Sequence, residues 1–202
     1  MSEITKTDCK IDIVPLTPDR TDDYLNFFET ALDGVGEWGH LCYCISWCSA
    51  PNFTEQGMEH AEVRREAAIR YIRDGVLKGY LAYADGQVAA WCNANDRNLS
   101  LNCYGMRCHI FGCEMPADEK RVKSVFCFEV VPNMRGKHIA SALLDRVMKD
   151  AKNDGYEYIE AYPIKGTDDI QENFYGHLAF YEKRGFEKIG ETEKNFVMRK
   201  KL

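Results

Sequence analysis

The segment that most constrains this chain runs from Ser124 to Asn153. Ser124–Val131 is nearly continuous apolar sequence, rich in β-branched and aromatic residues, the pattern of a strand covered on both faces. Pro132 stops it, and a short turn carries Arg135, Gly136 and Lys137. From Lys137 to Asn153 the apolar residues Ile139, Leu143, Val147 and Ala151 recur at helical spacing, and Gly155 closes the helix. A strand that turns tightly into a helix brings unpaired N–H groups and the positive end of the helix dipole to one spot. Arg135 and Lys137 add full positive charge there. Together these make a cradle for a pyrophosphate. Other phosphate loops fit less well: no G-x-x-x-x-G-K-[ST] occurs, and no G-x-G-x-x-G follows a strand.

The rest of the chain supplies the frame. Ile11–Leu16 reads as a first strand, and Asp22–Leu32 as a helix with its stripe at Tyr24, Leu25, Phe27, Phe28 and Leu32. Val35–Gly57 is aromatic, Cys-rich and turn-rich, and carries no assignable period. Glu62–Asp74 reads as a second helix. Gly79–Ala84 and Val88–Asn93 flank Asp85-Gly86, a strong hairpin signal. Asn95–Lys123 is polar and without sustained period, as in a long insertion. After the cradle come a strand over Tyr156–Tyr162, a helix over Phe174–Arg184 and two strands within Phe186–Arg199. A strand-helix-strand unit implies parallel neighbours, while the hairpins imply antiparallel ones. The expected architecture is one α/β domain over 1–202: a mixed sheet with helices on both faces.

The cradle and a second motif carry a family resemblance. Arg135–Ala140 resembles the R/Q-x-x-G-x-G/A pyrophosphate loop of the GNAT superfamily of N-acetyltransferases, and Phe128-Glu129-Val130-Val131-Pro132 resembles that superfamily's fourth strand. Phe180-Tyr181-Glu182-Lys183-Arg184-Gly185-Phe186 is similar to its F/L-Y-E-K-x-G-F helix end. The two motifs cover 124–190, in the family's order and spacing. CYCISWC followed by an acidic helix is similar, more loosely, to the front end of a bacterial branch of GNAT-like proteins. One departure stands out: His138 occupies the loop position where the family has glycine.

The resemblance implies a largely antiparallel sheet with one parallel strand pair at the cofactor site. Residues 1–94 would form the acceptor side, 95–123 an insertion and 124–202 the acetyl-CoA half. Acetyl-CoA would be the co-substrate. The backbone of Phe128 and Val130 would hold its pantetheine arm, and Arg135, Gly136, Lys137, His138, Ile139, Ala140 and Ser141 its pyrophosphate. Tyr181 matches the tyrosine that protonates the departing thiolate, a role a phenol suits chemically. Glu160, a carboxylate inside the apolar strand Tyr158–Tyr162, leads narrowly as general base. Glu129 and His177, the latter four residues before Tyr181, are the other candidates. An ordinary salt bridge is an equal reading for each carboxylate. The aromatics Phe27, Phe28, Trp38, Tyr43 and Trp47 are core or the lining of an acceptor pocket.

Composition sets the remaining bounds. With 26 basic and 32 acidic residues the net charge is −6, which disfavours a nucleic-acid partner. The first 101 residues carry 16 acidic and 9 basic groups, a weak preference for a cationic amine, small-molecule or peptide. No stretch approaches the roughly 18 apolar residues of a membrane span, and the N-terminus lacks a secretory apolar core. A cytoplasmic, membrane-free protein is therefore expected, with a homodimer through the tail strands as one arrangement.

The cysteines number nine, with Cys42, Cys44 and Cys48 in one group and Cys103, Cys108 and Cys113 in another, but no C-x-x-C pair exists. Reduced thiols rather than a metal site follow. The leading expectation is direct acetyl transfer from acetyl-CoA to an amine. The alternatives are a CoA-binding sensor without turnover and a cysteine-based metal or redox protein.

Overall fold

Seven strands make one sheet in the computed structural model, which describes residues 10–32, 42–48, 59–111, 117–166 and 173–202. They are β1 (Ile11–Pro15), β2 (Gly79–Ala84), β3 (Gln87–Asp96), β4 (Val122–Val130), β5 (Tyr158–Ala161), β6 (Glu187–Glu191) and β7 (Phe196–Lys201). Their order across the sheet is β1-β2-β3-β4-β5-β7-β6. Only β4 and β5 run parallel; all other neighbours are antiparallel. The helices are α1 (Thr21–Asn26), continued by a wider π turn over Phe27–Ala31, α2 (Ala61–Arg73), the single turn α3 (Arg97–Ser100), α4 (Ile139–Asn153) and α5 (Leu178–Glu182). This is the expected mixed, largely antiparallel sheet with one parallel pair and helices on both faces.

Local chemistry explains most element ends. Asp85 and Gly86 both adopt positive φ (50° and 84°), as a two-residue hairpin between β2 and β3 requires. The Asp96 carboxylate ends β3 and caps α3, accepting from the N–H groups of Asn98 and Leu99 at 2.9 and 3.3 Å. Tyr24, Phe27 and Phe28 are fully buried, with the Tyr24 ring edge-on to Trp91 of β3 at 4.8 Å. From the other side α4 buries Leu143, Leu144 and Val147 and lies across β1 to β4.

Three expectations need correction. The helix expected over Phe174–Arg184 is split into a 3-10 turn at Asn173–Tyr175 and the shorter α5. Gly176, between them, sits at φ +79°, which no α-helix continues through. His177 therefore precedes α5 and shares no helical face with Tyr181. Among its described residues the insertion after Asn95 holds two helical pieces, α3 and a π turn at Met106–Ile110, and gives its first and last residues to β3 and β4. Of the stretch 35–57, Cys42–Cys48 is described; Trp38 lies outside the described residues, as do Cys9 and Cys113.

Candidate active site

The site begins with an irregularity in β4. Asn93 of β3 pairs with Cys127 and the next residue, Ala94, pairs with Val125, so Phe126 is an extra residue, a β-bulge. The ladder between β4 and β5 runs only from Val122–Tyr158 to Val125–Ala161 and stops at that bulge. Beyond it β4 continues to Val130 with no strand partner on that edge among the described residues. The Val131 N–H donates to Ala89 of β3 (3.0 Å), so by alternation the main-chain groups of Phe128 and Val130 face the open edge. The Val130 carbonyl accepts there from Arg135 Nε at 3.2 Å.

The chain then turns through Pro132–Met134, an extended Arg135, and two left-handed positions, Gly136 (φ +75°) and His138 (φ +61°). Among the described residues nothing lies within 4 Å of where a Cβ on Gly136 would stand. Helix α4 opens at Ile139 with no side chain capping its first N–H groups, and its first carbonyl in use is that of His138, accepting from Ala142 at 3.0 Å. Gly136, Lys137 and His138 are exposed, Arg135, Ala140 and Ser141 half-buried, and Ile139 buried. Uncapped amides, a helix dipole, two cations and a bare backbone meet at one end of β4, and these groups fit an anionic pyrophosphate. His138 takes the backbone conformation for which the family's glycine is suited, and its ring stays in solvent.

The acid and base candidates fall in different surroundings. Tyr181 is fully buried and donates its hydroxyl to the Tyr175 carbonyl at 2.6 Å, and burial pushes its phenol well above its ordinary range. Glu160, 1 % exposed, is the hub of an ion-pair network. Its Oε2 accepts from Arg97 Nε (3.0 Å) and the Tyr162 hydroxyl (2.8 Å), and its Oε1 from Arg199 Nε (2.7 Å); Arg199 also reaches Asp118 at 2.6 Å. Both carboxylate oxygens are occupied. Glu129 lies three residues past the bulge, half-buried, opposite Trp91. Burial raises its carboxyl to about 7, against a smaller downward pull from Arg135. His177 is exposed.

The structure thus brings together Phe128, Val130, Glu129 and the 135–141 loop, and leaves Glu160 in its network on β5. Sequence reasoning missed the bulge and the two arginine partners of Glu160. Arg199 directly follows the apolar Phe196-Val197-Met198, a weak signal, whereas Arg97 lies in the polar run Asn95–Asn98 and carried none. On the front of the sheet Trp47 stacks on Phe126 at 5.2 Å and 3°, and Phe126 stacks on Tyr162 at 5.7 Å. Gly105 lets the insertion close on Trp47: a Cβ there would fall on the indole ring. Among the described residues no group of three or more His, Cys, Asp or Glu is placed to hold a metal ion.

A family model, the acetyltransferase (GNAT) family, matches residues 40–186. The chain belongs to that family. No curated protein matches it in sequence. Solved GNAT structures share its fold at low identity. The PaiA N-acetyltransferase from Thermoplasma acidophilum, in complex with coenzyme A, is similar at 16 % identity with a TM-score of 0.54, over 96 % of this chain and 99 % of that one. The ribosomal-protein-alanine N-acetyltransferase from Brucella melitensis gives 18 % identity and a TM-score of 0.53, over 95 % and 99 %. A GNAT-family acetyltransferase from Streptococcus pneumoniae gives 12 % and 0.54, over 96 % and 100 %. As a GNAT protein the chain is placed among acyl transferases, and its motif residues lie where its own β4, loop and α4 meet.

Proposed function

We propose that this GNAT protein transfers an acetyl group from acetyl-CoA directly to an amine. The observation that carries the reading is the splayed edge of β4 running into an uncapped helix N-terminus flanked by Arg135 and Lys137. The coenzyme A bound to the Thermoplasma protein supports the same ligand here. Acetyl-CoA supplies an activated thioester. The main chain of Phe128 and Val130 holds its pantetheine amides as an added strand would be held. Arg135, Gly136, Lys137 and His138 through Ser141 hold its pyrophosphate.

The proton steps belong to two side chains. An ammonium acceptor must lose a proton before it attacks. Glu129 suits that task better than Glu160, because its carboxyl titrates at about 7 and its surroundings leave it able to take a proton. Glu160 already accepts from two guanidinium groups and a phenol and serves as structural support. Tyr181 keeps its proton at physiological pH and donates it now to a neutral carbonyl. A thiolate formed beside it would be a stronger, charged acceptor. The acceptor is a small-molecule or peptide amine. No helix among the described residues is long and apolar enough to cross a membrane, in keeping with action in the cytoplasm.

A second reading is a CoA-binding module without turnover, favoured by the engagement of the Tyr181 hydroxyl with Tyr175. Chromatographic measurement of free CoA released from acetyl-CoA across an amine panel separates the two. Amine-dependent release supports transfer. Saturable binding with no release for any amine supports the sensor.

A further inference from the structure

The thiols of the CYCISWC segment find an unexpected partner. Tyr43 and Cys44 are consecutive non-glycine residues at positive φ (42° and 47°), a conformation that persists only where the surroundings enforce it. The enforcing contacts are visible. Tyr24 donates to the Tyr43 carbonyl at 2.6 Å, Asn93 Nδ2 donates to the Cys44 carbonyl at 3.2 Å, and the Cys44 N–H donates to Cys42 Sγ at 3.3 Å. Asn93 is the cross-strand partner of Cys127 on β4. The strained turn therefore carries Cys44 against the sheet face on which Cys127 lies, and the thiols of Cys42, Cys44 and Cys127 are neighbours there. Cys44 and Cys127 are buried, whereas Cys42 is half-exposed. The buried Trp91 indole N–H on the same face lies beside the Cys44 thiol and meets no partner at hydrogen-bond geometry among the described residues.

We propose that Cys44 and Cys127 form an oxidisable dithiol, with Cys42 as its point of entry for a hydroperoxide. The Cys42 sulfur attacks the peroxide; the O–O bond breaks, water leaves with the thiol proton, and a sulfenic acid remains. The Cys44 sulfur displaces a second water from Cys42, giving a Cys42–Cys44 disulfide. That bond spans only one intervening residue and is strained. The Cys127 sulfur then attacks the Cys44 sulfur, and Cys42 leaves as a thiol carrying the proton from Cys127. Two thiols and one hydroperoxide yield a disulfide, water and water or the corresponding alcohol. The link would stitch the 42–48 segment to β4 two residues before Glu129. The neighbouring Cys44 side chain, and then burial, push the Cys42 thiol well above its ordinary range, and burial does the same to Cys44, so the reaction is slow and requires sustained oxidant.

The test is peptide mapping of the full-length protein after hydrogen peroxide, with free thiols alkylated in denaturant. The expected product has lost two hydrogen atoms, joins the Cys44 and Cys127 peptides, and reverts on reduction with a phosphine. Cys42→Ser should slow its formation, and Cys127→Ser should divert it to a Cys42–Cys44 link. Full alkylation of Cys44 and Cys127 after peroxide, with oxygen added only at the exposed Cys108, would overturn the proposal. So would a Cys48–Cys103 link in place of the expected one. Both readouts are independent of acetyl transfer.

Discussion

His138 holds a left-handed conformation that glycine enters freely, a strain on the order of 1 kcal/mol for a side chain bearing a Cβ. Its ring is exposed and its backbone still opens α4. The departure from the family's glycine is therefore one of side chain, with the loop conformation retained. His138→Gly should leave stability within about 1 kcal/mol of the parent, the relieved strain being offset by the entropy of glycine, and should retain acetyl-CoA binding. Equilibrium denaturation and calorimetric titration check both. Glu129 gives a prediction with a definite sign. Its carboxyl titrates at about 7 in the folded protein and near 4.5 when unfolded, so the folded state binds more protons between those values. Stability falls as pH rises through that window, and the cost is complete above it. Glu129→Gln should therefore be more stable than the parent at pH 8, by about 2–3 kcal/mol, and equal to it below pH 4. The same substitution should remove an acid limb near pH 7 from the profile of kcat/KM. Glu160→Gln should do the reverse. It leaves Arg97 and Arg199 facing a neutral amide in a buried site, and should lose about 3 kcal/mol while keeping the pH profile.

At the scale of elements, the bulge decides the site. One extra residue in β4 ends the parallel ladder at Val125 and opens the strand edge that runs to the cradle. Strand existence was legible in the apolar run of Ser124–Val131, and the cradle helix in its stripe of Ile139, Leu143 and Val147. The bulge was not legible, because Phe126, Cys127 and Phe128 are all apolar and a register shift between two strands leaves no mark on either alone. The break at Gly176 was marked by the glycine, but helical spacing on either side of it concealed the stop. Glu160 was ambiguous for a related reason: a carboxylate in an apolar strand signals either catalysis or a salt bridge, and the arginines it pairs with sit on α3 and β7, far away in sequence. The packing of the turn before α5 gives a further prediction. Tyr181→Phe removes the hydrogen bond to the Tyr175 carbonyl, which should cost about 1 kcal/mol of stability. If the phenol also protonates the thiolate, kcat should fall about a hundredfold with the KM for acetyl-CoA unchanged. A stability loss alone would assign Tyr181 to packing.

Across the whole molecule the sheet divides the labour. One face meets α1, α2 and the 42–48 segment, and holds Glu129 together with the stacked rings of Trp47 and Phe126. The other carries α4, whose N-terminus presents the cradle. Membership of the GNAT family fixes the frame, and the cradle in 135–141 is the feature on which the functional account rests. The most direct measurement is the thermal midpoint with acetyl-CoA, using ATP as control. At a hundredfold excess over the dissociation constant, binding adds about 2.7 kcal/mol. For a chain of this length the midpoint should rise by about 5–10 °C with acetyl-CoA and much less with ATP. An unchanged midpoint at saturating acetyl-CoA would contradict the account, because a loop and helix N-terminus that bind no CoA cannot present its thioester to an amine.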